Sequence, residues 1–225
     1  MPASTVLVEV SRTAEVLARL NDGAVGWLTE SEQERLAGLR VAARRDHYLA
    51  GHWLVRELLS QAFGATPKHW PLLERRSQPP QVLGGDGRLR VSISHSGDWI
   101  AAAISDAAIG IDIEQRPRPL DAAIESLLLN ADEAPGSVGQ DDLLQRWVAK
   151  EAWIKSRAGS ALPTQLKQLQ LRAAAPKHAD VRIHTHDALH LALACDSGCA
   201  VVWRGSVALQ AGLAWSVSAE PVATT

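Results

Sequence analysis

The chain has 225 residues, 46% of them hydrophobic, with 23 Lys and Arg against 25 Asp and Glu for a net charge of −2. That is enough apolar material for a proper core, and the near-neutral balance argues against a nucleic-acid clamp or a polybasic membrane binder. No run approaches the roughly 20 apolar residues of a membrane span, and Met1 to Val10 lacks the basic-then-apolar pattern of a secretory leader, so a soluble cytoplasmic protein is expected.

Thr5 to Val10 is β-branched and apolar enough for a first strand. Ser31 to Leu39 and Arg44 to Phe63 follow as helices; the second carries Tyr48, Leu49, Trp53, Leu54 and Leu58 at helical spacing and ends at Gly64. Pro67 to Gly87 is rich in Pro, Gly and charge, and is expected to be loop with one short strand. Leu89 to Ile93 and Trp99 to Ser105 form strands joined by a tight turn at Ser96-Gly97-Asp98, and Ile109 to Ile113 adds another. Leu120 to Leu129 and Asp141 to Arg157 have helical patterns, with a breaker at Pro135-Gly136 between them. From Leu166 onward the pattern is strands and turns, and residues 221–225 read as a frayed tail.

The sequence also repeats itself faintly. Trp53-Leu54-Val55-Arg56-Glu57 echoes Trp147-Val148-Ala149-Lys150-Glu151, and Val91, Ile93, Ala102 and Asp106 recur as Val181, Ile183, Ala192 and Asp196. In both places a Trp-x-x-basic-Glu helix precedes a hairpin-like pair of strands. The expected fold is therefore α+β, built of two pseudo-symmetric halves, 1–108 and 109–220. An approximate twofold axis would relate them, with a ligand cleft between. The first half would be the nucleotide side, and the second would carry the metal and the catalytic helix.

Two acidic segments carry the chemistry. Gly110-Ile111-Asp112-Ile113-Glu114 is an apolar strand whose two carboxylates, at i and i+2, point to one face. Trp147 to Lys155 is a helix that puts Glu151 and Lys155 on one face at i and i+4. Three carboxylates and a lysine at one spot need a cation or an anionic ligand to neutralise them, so they form a seat for a hydrated divalent metal holding a phosphate chain. The plain alternatives are a solvated edge strand and an ordinary surface ion pair; the flanking Ile111, Ile113, Trp147 and Ile154 argue for burial of both segments instead.

Ser94-His95-Ser96, the Gly110 to Glu114 segment and the Trp147 to Lys155 segment, in that order, resemble the 4′-phosphopantetheinyl transferase superfamily, in its larger, Sfp-type class. Arg44-Arg45-Asp46 with Tyr48-Leu49-Ala50-Gly51 resembles the family's basic N-terminal helix, and Gly159 with Leu162-Pro163 resembles the loop after the lysine. The similarity spans roughly Thr29 to Leu171. It implies Mg²⁺-dependent (or Mn²⁺-dependent) transfer of the 4′-phosphopantetheine arm of coenzyme A to a serine of an acyl or peptidyl carrier protein, with release of 3′,5′-ADP. Fatty-acid, polyketide and nonribosomal peptide pathways are all open.

On that resemblance Asp112, Glu114 and Glu151 would hold the metal, and Asp112, Glu151 and Lys155 would be the catalytic residues, with Glu151 or a water it holds taking the serine proton. Glu133, after Leu128-Leu129, is a second base candidate. Arg44, Arg45, Ser94, His95, Lys150 and Lys155 would contact coenzyme A. Two departures bear on its affinity: Gln78-Pro79-Pro80 stands where relatives have Gly-Lys-Pro, and His52 where many have arginine. The molecule is expected to act as a pseudo-dimeric monomer, with neither nucleic acid nor membrane as partner. The rival readings are a coenzyme A-binding protein without transfer activity and a metal-dependent phosphohydrolase. A zinc site from His184, His186, His190, Cys195 and Cys199 is also conceivable, although strand cysteines are more often buried as small hydrophobes.

Overall fold

The computed structural model describes residues 4–20, 25–76, 78–84, 87–130, 138–157 and 166–219. The expected breaker at Pro135-Gly136, the Glu133 candidate, the 159–163 loop and the 221–225 tail lie outside these. The architecture is mixed α+β, with five helices and three sheets among the described residues.

Strand β1 (Thr5–Arg12) runs directly into helix α1 (Thr13–Arg19), which the sequence reading missed because the segment is short and has no side-chain cap. Helix α2 (Glu30–Ala37) starts from a full capping box, with Thr29 and Glu32 each satisfying the other's backbone N–H. Helix α3 (Ala42–Phe63) stops at Gly64, whose φ of 77° favours glycine. The expected loop holds two strands rather than one, a hairpin of β2 (Leu72–Arg75) and β3 (Gln78–Val82). Its prolines fit because a two-stranded ribbon leaves edge positions that need no N–H donor.

Next come β4 (Arg90–Ser96), β5 (Trp99–Ser105) and β6 (Ile109–Gln115), then helices α4 (Ala122–Leu128) and α5 (Gln140–Ser156). Strands β7 (Leu169–Ala173), β8 (Val181–His186), β9 (Leu189–Cys195), β10 (Ala200–Arg204) and β11 (Gln210–Ala219) complete the chain. One sheet has the order β10-β1-β5-β4 and the other β6-β9-β8-β11-β7. Strand β10 pairs parallel to β1, with Thr5 opposite Ala200, so the late chain closes the first sheet.

Alternation along the strands sets the layers. Val6, Val8, Val10, Ala101 and Ala103 meet Ile109, Ile111, Ile113, Leu191 and Leu193 in a core between the sheets. Leu54, Leu58 and Leu59 of α3 pack on the outer face of the first sheet, and Val148, Ala149 and Ala152 of α5 on the outer face of the second. The result is a helix–sheet–sheet–helix stack in which β4 and β6, each at the end of its sheet, lie side by side.

Candidate functional site

The odd residues of β6 enter the core, which turns Gly110, Asp112 and Glu114 toward α5. Gly110 decides how close that helix comes. A Cβ there would sit 1.9 Å from the Ala152 carbonyl oxygen and 2.5 Å from the Ser156 nitrogen. Only glycine allows backbone to meet backbone in this way. Ala152 is flanked by Glu151 and, one turn from it, Lys155, so the contact brings both side chains to the acidic strand.

Lys155 Nζ lies 2.6 Å from Asp112 Oδ1 and 3.2 Å from Ser94 Oγ. Glu114 pairs with Arg118 and accepts the Ser96 hydroxyl. Asp112 and Glu114 are buried, and Asp112 Oδ2 has no hydrogen-bond partner among the described residues. Glu151 is pushed up to about 7, first by burial and then by the charge of Asp112; Lys155 pulls the other way and Glu114 adds to the rise. The charges of Asp112 and Glu114 therefore both act on Glu151.

This oxygen-only donor set, with an orphaned buried carboxylate oxygen, fits a hard divalent cation such as Mg²⁺ or Mn²⁺. Among the described residues no three His, Cys, Asp or Glu side chains already stand together at metal-holding distance. Lys155 and Arg118 hold the carboxylates instead, so an incoming cation would compete with the Lys155 ammonium for Asp112.

The coenzyme A contacts expected from the sequence are placed unevenly. His95 stacks on His47 at 4.3 Å, with Arg44 and Lys155 near enough to act on its charge. Its imidazole is pulled down to about 4, by lost hydration first and then by His47 and Lys155, with Asp112 opposing and Arg44 adding a smaller share. The residue as a whole is nonetheless exposed. Ser94 is buried and donates its hydroxyl to Asp112 Oδ1 at 2.7 Å. Arg45 reaches the Leu36 and Leu39 carbonyls at the end of α2. Lys150 is completely buried with its ammonium 2.7 Å from the Leu128 carbonyl, which puts it in the packing between α4 and α5. A direct contact with coenzyme A, expected for Lys150, does not fit that position, because the helix turns residue 150 away from the Glu151–Lys155 face.

His52 is also buried, between Glu32 at 2.7 Å and Glu74 at 3.1 Å. Glu32 in turn holds Arg56 at 2.7 Å. His52 thus belongs to an internal ionic network, and its difference from arginine removes no exposed phosphate contact. The histidines take separate partners, His184 packing edge-on to Trp203, His186 to Trp99 and His190 bonding Asp141 at 2.8 Å, whereas Cys195 and Cys199 stay within hydrogen-bonding reach of each other. The segment Leu120 to Leu129, expected as a helix, mostly turns its leucines inward. Leu120, Leu128 and Leu129 are buried against α5, and Leu127 is exposed.

A cleft of about 440 Å³ opens beside Lys155, lined by Arg75, Pro79 and Pro80 of the hairpin, Arg90 of β4 and Ala108 before β6. Arg75 donates to the Pro79 carbonyl at 2.7 Å, which brings a guanidinium to the Gln78-Pro79-Pro80 stretch. The sequence reading missed Arg75 and Arg90. Both sit in or beside a segment read as loop, and only the hairpin brings them to one wall.

Residues 108–208 match the family model of the 4′-phosphopantetheinyl transferase superfamily. Over 154 residues the chain is 30% identical to the 4′-phosphopantetheinyl transferase psf-1 of Bacillus pumilus, covering 66% of this chain and 64% of that protein. Over these residues the chain is similar to this superfamily. A second superfamily member, the 4′-phosphopantetheinyl transferase of Bacillus subtilis, is 28% identical over 60% of this chain and 62% of its own length. For the 4′-phosphopantetheinyl transferase gsp of Aneurinibacillus migulanus the figures are 28%, 56% and 55%. The chain thus spans less than two thirds of the length of each of these relatives. The family match includes Asp112, Glu114, Glu151 and Lys155 and leaves Arg44, Arg45, Ser94 and His95 outside it.

Proposed function

We propose that the chain transfers the 4′-phosphopantetheine arm of coenzyme A to a serine of an acyl or peptidyl carrier protein, releasing 3′,5′-ADP, as the Sfp-type class does. The observation that carries this reading is the contact at Gly110, which sets Glu151 and Lys155 over Asp112 and Glu114 beside the cleft. Phosphoryl transfer asks a protein mainly for positioning and charge neutralisation, and this arrangement supplies both.

Asp112, Glu114 and Glu151 would hold the metal, which when bound would neutralise the diphosphate and offset the charge developing on the leaving group. Lys155 would leave Asp112 for the same phosphates, acting as a point charge. Glu151 would receive the proton of the attacking serine, directly or through a water, a contribution typically worth about 10² to 10⁴ in rate. His95 and Arg44, with Arg75 and Arg90 in the cleft, would meet the remaining phosphate and the nucleotide.

The proposed two-half architecture, 1–108 and 109–220, is supported by matching registers. Ile93 pairs with Ala102 in one hairpin and Ile183 with Ala192 in the other, and each hairpin carries its own helix. The cleft draws its walls from both sides of residue 108.

The test is to incubate the protein with Mg²⁺, coenzyme A and an apo carrier domain and to weigh the carrier. A gain of the phosphopantetheine mass supports transfer. Nucleotide release without carrier modification points to hydrolysis, and neither leaves binding alone.

A further inference from the structure

Strand β4 presents a serine at every second position toward β6, and the three hydroxyls form a regular ladder. Ser92 Oγ accepts the Ile111 N–H at 3.0 Å, Ser94 Oγ that of Ile113 at 3.3 Å, and Ser96 Oγ that of Gln115 at 3.1 Å. These are the N–H groups that β6, at the end of its sheet, turns away from β9. An edge without partners would leave buried donors unsatisfied; here side-chain oxygens replace a backbone ladder and join the two sheets.

A hydroxyl that has accepted one N–H still has its own hydrogen to donate. Ser94 gives it to Asp112 Oδ1 at 2.7 Å, and Ser96 gives it to Glu114 Oε2. Each of these serines thus fixes a strand N–H and the carboxylate of the residue just before it. At the Ser92 rung the equivalent residue is Gly110, which has no side chain and admits α5 instead. The same register serves helix contact at one rung and carboxylate aim at the other two.

From this geometry we infer that Ser94 and Ser96 are positioning residues for the metal-holding carboxylates. The inference rests on the proposed reading of Asp112 and Glu114. The hydroxyl of Ser94 engages one oxygen of Asp112 and leaves the other buried and without a partner among the described residues. Ser96 and Arg118 together fix Glu114. Partners of this kind, which orient a ligand without touching the metal, typically change metal affinity or activity about 10- to 100-fold when removed. Ser94 therefore acts through Asp112, and its hydroxyl is not free to hold a phosphate of coenzyme A.

Ser92→Ala, Ser94→Ala and Ser96→Ala each remove one backbone contact, but only the last two release a carboxylate. Mn²⁺ binding without coenzyme A, followed by calorimetry, is expected to weaken about tenfold or more in Ser94→Ala and Ser96→Ala. Ser92→Ala should stay within about twofold of wild type, and urea stability should fall comparably in all three. Carrier loading by the two carboxylate-releasing variants should show a lower kcat, with KM for coenzyme A within about twofold of wild type. If Ser94→Ala does not fold, Ser96→Ala, at the half-exposed end of the ladder, decides the matter through Glu114.

Wild-type Mn²⁺ affinity in both serine variants, while Asp112→Ala abolishes binding, would overturn the positioning role and leave the site reading intact. An equal loss in Ser92→Ala would make the ladder merely structural and would overturn it too. Wild-type protein that binds no Mn²⁺, or an Asp112→Ala variant that binds it normally, sinks the site reading and the ladder's role with it.

Discussion

The Lys155 ammonium lies 2.6 Å from Asp112 Oδ1, with 25% of the lysine side chain and 7% of the aspartate side chain exposed. The two come from a helix and a strand 43 residues apart in sequence. Lysine and a divalent cation are rivals for this oxygen. Lys155→Ala is expected to lower carrier loading by about 10² or more, yet to leave Mn²⁺ affinity unchanged or stronger. Lys155→Arg should rescue poorly, because a planar guanidinium cannot replace a compact point charge in this space. Steady-state loading and Mn²⁺ calorimetry on the same preparations separate the two effects; normal loading by Lys155→Ala would remove it from the mechanism.

Gly110→Ala places a methyl group 1.9 Å from a helix carbonyl oxygen. The helix backbone cannot yield as a side-chain tip would, so the whole of α5 must shift. We expect a loss of about 3 kcal/mol or more in urea unfolding, at the upper end of overpacking effects. Activity should fall further than stability alone accounts for, since Glu151 and Lys155 move with the helix. A stable, fully active Gly110→Ala protein would contradict the close contact.

Glu151 titrates near 7 in the folded protein, above an ordinary glutamate. A carboxyl with a raised folded-state value contributes no penalty below about pH 4; the penalty grows between about pH 4.5 and 7, where only the unfolded chain ionises, and is complete above about pH 7. In chelator, Glu151→Gln should therefore match wild type near pH 4 and be more stable at pH 8, by about 3 kcal/mol at most. Carrier loading should be abolished in the same variant. Thermal melts at the two pH values test the sign; a variant less stable at pH 8 would refute it.

Burial alone would raise Glu32, but hydrogen bonds from His52 and Arg56 outweigh it and bring the carboxyl to about 2. Its stabilising effect is fully present above about pH 4.5 and is lost as pH falls toward 2. Glu32→Gln strands Arg56 beside a neutral amide and should cost about 3–5 kcal/mol at pH 7. It should also flatten the acid limb of the stability profile between about pH 5 and 2. An unchanged acid limb in urea titrations would show that the network is not what fails in acid.

Arg90 lies on the cleft wall, where its guanidinium donates to the Gly87 carbonyl at 3.2 Å. Arg90→Ala should raise KM for coenzyme A about five- to tenfold with kcat nearly unchanged, the mark of an interaction made equally in ground and transition states. A fall in kcat with KM constant would place Arg90 nearer the reacting phosphate than the cleft suggests.

The site was legible where local pattern and chemistry coincide. Asp112 and Glu114 share a strand face and Glu151 and Lys155 a helix face, and these periodicities survive into the fold. The long helix α3 and the β4–β5 hairpin were readable for the same reason, since apolar spacing and a Gly turn are local signals. What the sequence hid depends on contacts between distant segments. Lys150 sits next to Glu151 in the motif, yet a single helical step of about 100° sends it into the packing with α4. His52 reads as a lost phosphate contact until Glu32 and Glu74 are seen on either side of it. Arg75 and Arg90 acquire meaning only when the proline-rich stretch folds as a hairpin. Ser94 reads as a coenzyme A contact, and the pairing of the β4 serines with β6 is invisible without the meeting of two sheet edges.

The parallel pairing of β1 with β10 has a consequence for how this protein is made. During synthesis one of the two neighbours of β1 arrives only after nearly two hundred further residues. Until then a hydrophobic strand with an open edge must wait, exposed to pairing with other chains. Nascent chains stalled before Ala200 should depend on chaperones and aggregate more readily than those released a few residues beyond Arg204, a difference that pulse-labelled translation can measure.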